Sequence, residues 1–152
     1  MKVVLALILV LGLTACRTVR VVESPVVATS PDMTGSATSR QAVESFFAAM
    51  KSGDLQAAST VWGSKSGASR DYMPRDQMES RLLIIQCWLA HDTMRIINMP
   101  RPAKADSAFY RVELTKTGRA QQTDVITVTG PRQRWYVADP KIVGLTAPGC
   151  RT

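Results

Sequence analysis

The sequence has few of the residues that common cofactor and metal sites require. Its 152 residues include one histidine, His91, and three cysteines, whose spacing does not match that of a zinc site. The sequence also contains no glycine-rich phosphate-binding loop and no serine-centred nucleophile turn. We therefore expect no metal and no cofactor, although these absences do not argue against a small binding cavity.

The sequence also lacks a hydrophobic run long enough to cross a membrane. Residues 3–13 are apolar except for Gly12, and they follow the positively charged Lys2. A membrane-spanning helix needs about 20 apolar residues, so this segment is too short. A short apolar segment behind a positive residue is the layout of a signal peptide, and we expect residues 1–15 to be an export signal.

The segment that ends this apolar run is Leu13-Thr14-Ala15-Cys16. It resembles the lipobox of bacterial lipoproteins, in which an apolar residue and two small residues precede the cysteine that is lipidated. The resemblance implies cleavage before Cys16, a diacylglyceryl group on its thiol, and acylation of its amino group by palmitate or a similar chain. An alternative is an ordinary secretory signal that is cleaved after Ala15.

The lipobox resemblance implies a protein that is held in the cell envelope by the lipid on Cys16. In enterobacteria, an aspartate directly after the lipidated cysteine resembles the signal for retention in the inner membrane. Here Arg17 occupies that position. We therefore favour the outer membrane, facing the periplasm, over the inner membrane.

Basic residues exceed acidic ones by 19 to 12, which gives a formal net charge of +7. They are scattered along the chain, which is compatible with binding to an anionic envelope component or to an acidic envelope protein. The alternative is a solvated basic surface without a dedicated partner. No basic cluster is interleaved with aromatic residues, so we expect no nucleic acid partner. The sequence does not indicate an oligomeric state.

Lipidation of Cys16 leaves Cys87 and Cys150 as an even pair. An oxidising compartment favours their joining, which predicts a disulfide. The two residues are 63 positions apart. In the chain-entropy model, closing such a loop lowers the conformational entropy of the unfolded chain, which stabilises the fold by about 4 kcal/mol. The alternative is two free thiols.

Residues 16–38 are predicted to be the lipidated cysteine and a flexible tether, which is followed by a single domain over residues 39–152. The tether is rich in Ser, Thr, Val and Pro and has no helical period. Its five valines allow an edge strand as an alternative: Val19, Val21, Val22, Val26 and Val27.

Three helices are expected before any strong strand signal. Thr38 and Gln41 fit a capping box, with Ser39 as an alternative N-cap, and Gly53 suits the end of the first helix. Asp54 is expected to cap a second helix that ends at Trp62, and residues 63–70 are expected to form a polar loop. Pro74 suits the first turn of a third helix that extends to about Ala90. Its predicted apolar face consists of Met78, Arg81, Leu82, Ile85 and Leu89.

The second half of the sequence has the period of strands. Residues 108–116 alternate between apolar and polar side chains, and further strand signals cover residues 94–97, 122–129 and 133–138. Short turns between successive strands favour antiparallel pairing. The predicted fold class is α+β, with three N-terminal helices packed on a curved antiparallel sheet of about four strands.

Two segments carry a family resemblance: the Ser52-Gly53-Asp54 turn between the first two helices, and Arg134-Trp135-Tyr136-Val137-Ala138-Asp139 at the end of the sheet. With the helix and strand pattern of residues 38–143, they resemble the nuclear transport factor two-like (cystatin-like cone) superfamily. Small exported lipoproteins are the branch that is nearest in layout. Other branches are isomerases and dehydratases with an acid–base pair inside the cone. One fold thus serves many functions.

The candidate catalytic residues are His91, Asp92 and Asp124. An imidazole and a carboxylate can exchange protons near neutral pH. However, adjacent side chains such as those of His91 and Asp92 diverge, so at most one of them would line a pocket. The alternative is that His91 and Asp92 end a helix, with Asp92 capping the turn that begins the sheet, and that Asp124 is exposed on a strand.

Trp62, Trp88 and Trp135 are candidates for lining a pocket, because indole rings often form the floor of a ligand site. The alternative is that they fill the core, with each N–H satisfied at its edge.

We expect a membrane-anchored, non-enzymatic binding or accessory module for a small apolar ligand or an envelope partner. The alternative is a tethered isomerase, dehydratase or hydrolase of the same superfamily.

Overall fold

The computed structural model describes residues 33–98, 101–147 and 149–150, with only the backbone of residues 101–104. The predicted signal peptide, Cys16 and the predicted tether up to residue 32, including the valine-rich alternative strand, lie outside these residues. Three helices precede the main strands, as expected for an α+β chain. The helices are α1 (Ser39–Ser52), α2 (Leu55–Val61) and α3 (Arg75–Trp88). The strands are β1 (Gly63–Ser64), β2 (Gly67–Ala68), β3 (Thr93–Ile96), β4 (Arg101–Lys104), β5 (Ser107–Lys116), β6 (Arg119–Thr129) and β7 (Trp135–Pro140).

Helix α1 begins and ends at the predicted caps. The Thr38 side chain accepts a hydrogen bond from the backbone N–H of Gln41, at 3.1 Å. The Gln41 side chain in turn accepts the N–H of Ala37, which completes a variant of the capping box. Ser39 is the first helical residue rather than the N-cap, and its hydroxyl bonds the hydroxyl of Tyr110 at 2.6 Å. The predicted apolar face is confirmed, since all six of its residues are buried: Ala42, Val43, Phe46, Phe47, Ala49 and Met50.

Helix α2 is capped by Asp54, whose carboxylate accepts the N–H of Ala57 at 2.9 Å, as predicted. Helix α3 follows Pro74 and ends at Trp88, two residues before the expected end. Its Met78 and Leu82 are buried, whereas Arg81 is exposed and does not belong to the apolar face.

The main sheet is antiparallel, with strand order β3-β5-β6-β7, and β4 also pairs with β5. One edge of β5 pairs with β6 along its whole length. The other edge pairs with β4 near the start of β5 and with β3 nearer its end. The predicted alternation in β5 is confirmed, because every second residue is buried. These residues are Ala108, Tyr110, Val112 and Leu114.

The core lies between the helices and one face of this sheet. Phe46 and Phe47 of α1 are fully buried, and they belong to the same cluster as Val125 and Val137 of the sheet. Helix α1 contacts β6 and β7, whereas the main contacts of α3 are with α2. Met78 and Leu82 of α3 belong to this same buried cluster, so α3 also contributes to the core.

Three local predictions differ from the structure. The expected polar loop over residues 63–70 contains a short hairpin, β1 and β2, in which Gly67, Ala68 and Ser69 are buried. Strand β7 begins at Trp135, because residues Pro131–Gln133 form a 3₁₀ turn before it. Strand β4 was not predicted, since its sequence has neither an apolar alternation nor β-branched residues.

The described domain also includes residues before Thr38, the end of the predicted tether. The Gly35 N–H bonds the Thr60 carbonyl at 2.7 Å, and buried Ser36 exchanges two backbone hydrogen bonds of 2.9 Å with Trp135. The last residues of the predicted tether are therefore part of the domain.

Cys87, near the end of α3, is joined to Cys150 by a disulfide, with the two Cα atoms 5.7 Å apart. This bridge links the C-terminal segment to the helical layer. In the part of the chain that the structure describes, no helix is long and apolar enough to span a membrane.

Candidate functional site

His91 lies between α3 and β3, at the edge of the core. Its side chain is buried, and its ring packs edge-on against that of Phe47, with ring centroids 5.7 Å apart. Its Nδ1 is 2.7 Å from the Leu89 carbonyl oxygen, which can only accept, so Nδ1 carries a proton. In the neutral ring, Nε2 is then the nitrogen that can accept a proton or a hydrogen bond.

His91 lines a surface cleft of about 330 Å³ at the ends of α1, α3 and β5, which we call the His91 cleft. Lys51, Lys116 and Leu83 also line it. The cleft therefore combines one imidazole with two cations and an apolar side chain. None of the described residues that line it carries a carboxylate.

Asp92 has a structural role in joining α3 to the sheet. Its Oδ2 accepts the N–H of Thr117 at 2.7 Å, and its own N–H bonds the Thr115 carbonyl at 2.7 Å. The Lys51 ammonium donates to the Asp92 backbone carbonyl at 2.5 Å. Asp92 thus caps a turn, as the alternative interpretation expected, but the turn is that of the β5–β6 hairpin and not the one that begins the sheet. Helix α3 ends at Trp88, so Asp92 does not end it.

Asp124 lies on the face of the sheet opposite the core. It is the direct cross-strand partner of Arg111, whose Nε and Nη2 donate to its two carboxylate oxygens at 2.8 and 3.0 Å. This hydrogen bonding raises the pKa of Arg111 above its ordinary value. Both side chains are about half exposed and line a shallow cleft of about 190 Å³ with Phe109.

The structure therefore does not bring the three candidate catalytic residues together. His91 lines one cleft, Asp92 caps a hairpin, and Asp124 lines a different cleft on the outer face of the sheet.

The three tryptophans are half-buried and pack against the main core. None of them lines the clefts described in this section. Trp62 and Trp135 pair through their backbones with Val137 and Ser36, respectively. The Trp88 Nε1 is buried and has no hydrogen-bond partner among the described residues, contrary to the expectation that each indole N–H is satisfied.

A third cleft, of about 510 Å³, lies where the chain enters the domain. We call it the arginine cleft, because Arg70, Arg132 and Arg134 line it together with one carboxylate, Asp71. Thr34, Tyr136 and the exposed Met33 are also part of its lining.

The sequence showed only scattered basic residues here. Arg70 precedes α3, whereas Arg132 and Arg134 lie just before β7, so only the fold brings Arg70 to the other two. One sequence signal for this cleft was available: Arg132 and Arg134 follow the Gly130-Pro131 turn and are separated by only one residue.

Groups of three or more His, Cys, Asp or Glu side chains with the geometry of a metal site do not occur within the described residues. No protein-family model matches the chain. A search of curated proteins also finds no similar sequence.

Proposed function

We propose that the chain is a lipid-anchored accessory protein of the bacterial cell envelope, whose domain binds a partner at its surface and does not catalyse a reaction. We also propose that this domain has the cone-like fold of the nuclear transport factor two-like superfamily. The anchor is the lipid on Cys16, and the outer membrane facing the periplasm is the favoured location.

Support for the anchor comes from the sequence. The apolar segment of residues 3–13 leads directly into Leu13-Thr14-Ala15-Cys16, so the cysteine occupies the position that lipidation requires. A multiply acylated cysteine provides more than the one chain that gives only marginal membrane binding. The pairing of Cys87 with Cys150 agrees with export to an oxidising compartment.

One observation carries the non-enzymatic part of the proposal: side chains fill the space between α1 and the sheet. Phe46, Phe47, Tyr110 and Leu114 lie in this region and are at most 1% exposed. If the domain has the proposed cone-like fold, these side chains lie where an enzyme of that superfamily would hold its substrate. A catalytic pocket is usually a cavity of about 300–1,000 Å³ with convergent polar groups. His91, Asp92 and Asp124 do not converge on one cleft, which supports binding at the surface over chemistry inside the domain.

The anchor is tested by growing a diderm bacterium that expresses the chain with labelled palmitate. We expect the label on the wild-type chain in the membrane fraction and none on Cys16→Ala. The matched control is the double variant Cys87→Ser/Cys150→Ser, which should keep the label because it leaves Cys16 intact. An unlabelled wild-type chain, or label that persists in Cys16→Ala, would contradict the anchor.

The packed interior is tested with a small apolar probe such as indole. We expect no shift of the thermal unfolding midpoint of the wild-type chain with indole, because the probe has no cavity to occupy. Phe46→Ala should create a cavity, destabilise the domain by about 3–5 kcal/mol, and gain an indole-dependent rise in midpoint. A comparable rise in the wild-type chain would show an open cavity and would favour the enzyme alternative.

A further inference from the structure

We propose that the arginine cleft binds the phosphate headgroups of anionic phospholipids in the membrane to which the chain is anchored. This inference rests on the proposed function, because it requires the domain to be held at a membrane. It assigns the partner that the domain contacts and the residues that contact it.

The first argument is charge. Among the described residues, Arg70, Arg132 and Arg134 line one cleft with one carboxylate, that of Asp71, so the described lining carries more positive than negative charge. Guanidinium groups present several donors in a planar fork that matches phosphate oxygens. The Arg70 Nε is 3.8 Å from the nearer Asp71 oxygen, a separation longer than a hydrogen bond. This pair lies near the surface, where an ion pair of this kind contributes little.

The second argument is position. Arg134 donates to the backbone carbonyls of Thr34 and Gly35, with its Nη2 2.7 Å from the Gly35 oxygen. The Thr34 hydroxyl also bonds the Tyr136 hydroxyl at 3.2 Å. Thr34 and Gly35 are therefore hydrogen-bonded to the wall of this cleft.

The distance to the anchor is short. Residues 17–32 separate Cys16 from Met33, and a flexible chain of this length would span on the order of 20–25 Å. Anchoring at Cys16 therefore keeps the arginine cleft closer to the lipid surface than the opposite end of the domain. Met33 is 47% exposed at the rim of the cleft, where a methionine side chain can contact lipid.

The third argument is backbone conformation. Arg132 and Gln133 have φ angles of 54° and 55°, a left-handed conformation that long side chains rarely adopt. Such conformations persist where the surrounding structure holds them, and they are frequent at ligand sites. Here the turn is closed by a hydrogen bond of 2.8 Å from the Gly130 N–H to the Arg134 carbonyl, which keeps Arg132 exposed at the cleft.

The test uses the chain from residue 16 onward with Cys16→Ser, so that only the domain and its tether can bind lipid. Its partition onto vesicles that contain phosphatidylglycerol is compared with that onto vesicles of phosphatidylcholine alone. We expect binding only to the anionic vesicles. Each arginine near an anionic surface contributes about fivefold to the partition coefficient, so Arg70→Gln/Arg132→Gln should lower it about 25-fold.

The matched control is Arg75→Gln/Arg119→Gln, which removes the same charge at exposed positions that do not line the cleft. It should change partition about twofold or less, because these two charges lie outside the cleft that is proposed to contact the lipid. Both double variants leave Arg134 and the core intact, and unchanged thermal unfolding would verify that each is folded.

Equal losses in the two double variants would overturn the proposal in favour of a diffuse basic surface. Binding of inorganic phosphate that is sensitive to Arg70→Gln/Arg132→Gln, without binding to anionic vesicles, would overturn it in favour of a soluble anion. The two proposals can fail separately. If the chain is not labelled by palmitate but still binds anionic vesicles through the arginine cleft, the lipid anchor is rejected and the phosphate-binding role of the cleft is supported.

Discussion

The carboxylate of Asp92 accepts the backbone N–H of Thr117 at 2.7 Å, so a residue just after α3 holds the tight turn between the two longest strands. Thr117 has a φ of 47° and is followed by Gly118 at 77°, which are the signs expected for a two-residue hairpin turn. The hairpin of β5 and β6 forms the centre of the sheet, and Asp92 connects it to the helical layer.

Removal of this contact should destabilise the domain. We expect Asp92→Ala to lower the free energy of unfolding by about 1–2 kcal/mol, because the Thr117 N–H loses a charged acceptor. Asp92→Asn retains an oxygen at the same position and should cost about half as much. Urea unfolding measures both, with Glu44→Ala in an exposed ion pair as the control. An Asp92→Ala variant as stable as the wild-type chain would show that the contact contributes nothing.

Gly35→Ala should show that residues 35 and 36 belong to the domain. A Cβ at this position would lie 2.7 Å from the Tyr136 ring and 2.8 Å from the Cβ of Arg134, and the φ of 72° disfavours any side chain. We expect a loss of about 2–4 kcal/mol. Gly118→Ala has a similar φ of 77° but open space around it, and it should cost about 1 kcal/mol. Equal costs in urea unfolding would mean that Gly35 is not packed in the native state.

The Cys87–Cys150 disulfide should account for much of the stability. The bridge closes a loop of 63 residues, so its loss should lower the free energy of unfolding by up to about 4 kcal/mol. Cys87 is exposed and neither cysteine belongs to the core, so Cys87→Ser/Cys150→Ser should keep the fold. Circular dichroism tests the fold and urea unfolding tests the stability. Mass spectrometry of an unreduced digest of the exported chain should detect the linked peptides, and free thiols there would contradict the prediction.

Arg95 and Glu113 provide a prediction about pH. The hydrogen bond from Arg95 Nη2 to the Glu113 carboxylate, at 2.7 Å, lowers the pKa of Glu113 below its ordinary value. A carboxyl group with a lowered folded-state pKa stabilises the fold above its unfolded-state pKa. That contribution is lost as the pH falls through the folded-state value. We expect Arg95→Gln to raise the pKa of Glu113 toward the ordinary range, which an NMR titration would measure. The control is Arg40→Gln, which leaves the pair intact, and an unchanged Glu113 pKa in Arg95→Gln would exclude the proposed cause.

Local signals in the sequence predicted the helices well. The caps at Thr38 and Asp54 and the buried face of α1 depend on contacts between residues three or four positions apart, which a short segment encodes. The sheet was less predictable. A bulge between Ile126 and Thr127 buries both Thr127 and Val128, which breaks the alternation that sequence patterns assume.

The candidate sites were less predictable still. His91, Asp92 and Asp124 were chosen for their chemistry, but their surroundings depend on pairing between distant strands. Asp124 faces away from the core because it lies beside Thr123 and Val125, whose side chains are buried on the other face.

The sequence by itself determined the three helices, the caps at Thr38 and Asp54, the alternation of β5 and the α+β class, because each depends on residues that are close along the chain. Only the tertiary structure decided that Asp92 caps a hairpin, that Phe46 and Tyr110 are buried in one cluster, and that Arg70 meets Arg132 and Arg134 in one cleft. These contacts join segments that are far apart in the chain, and their positions follow from strand register and helix packing rather than from any local pattern.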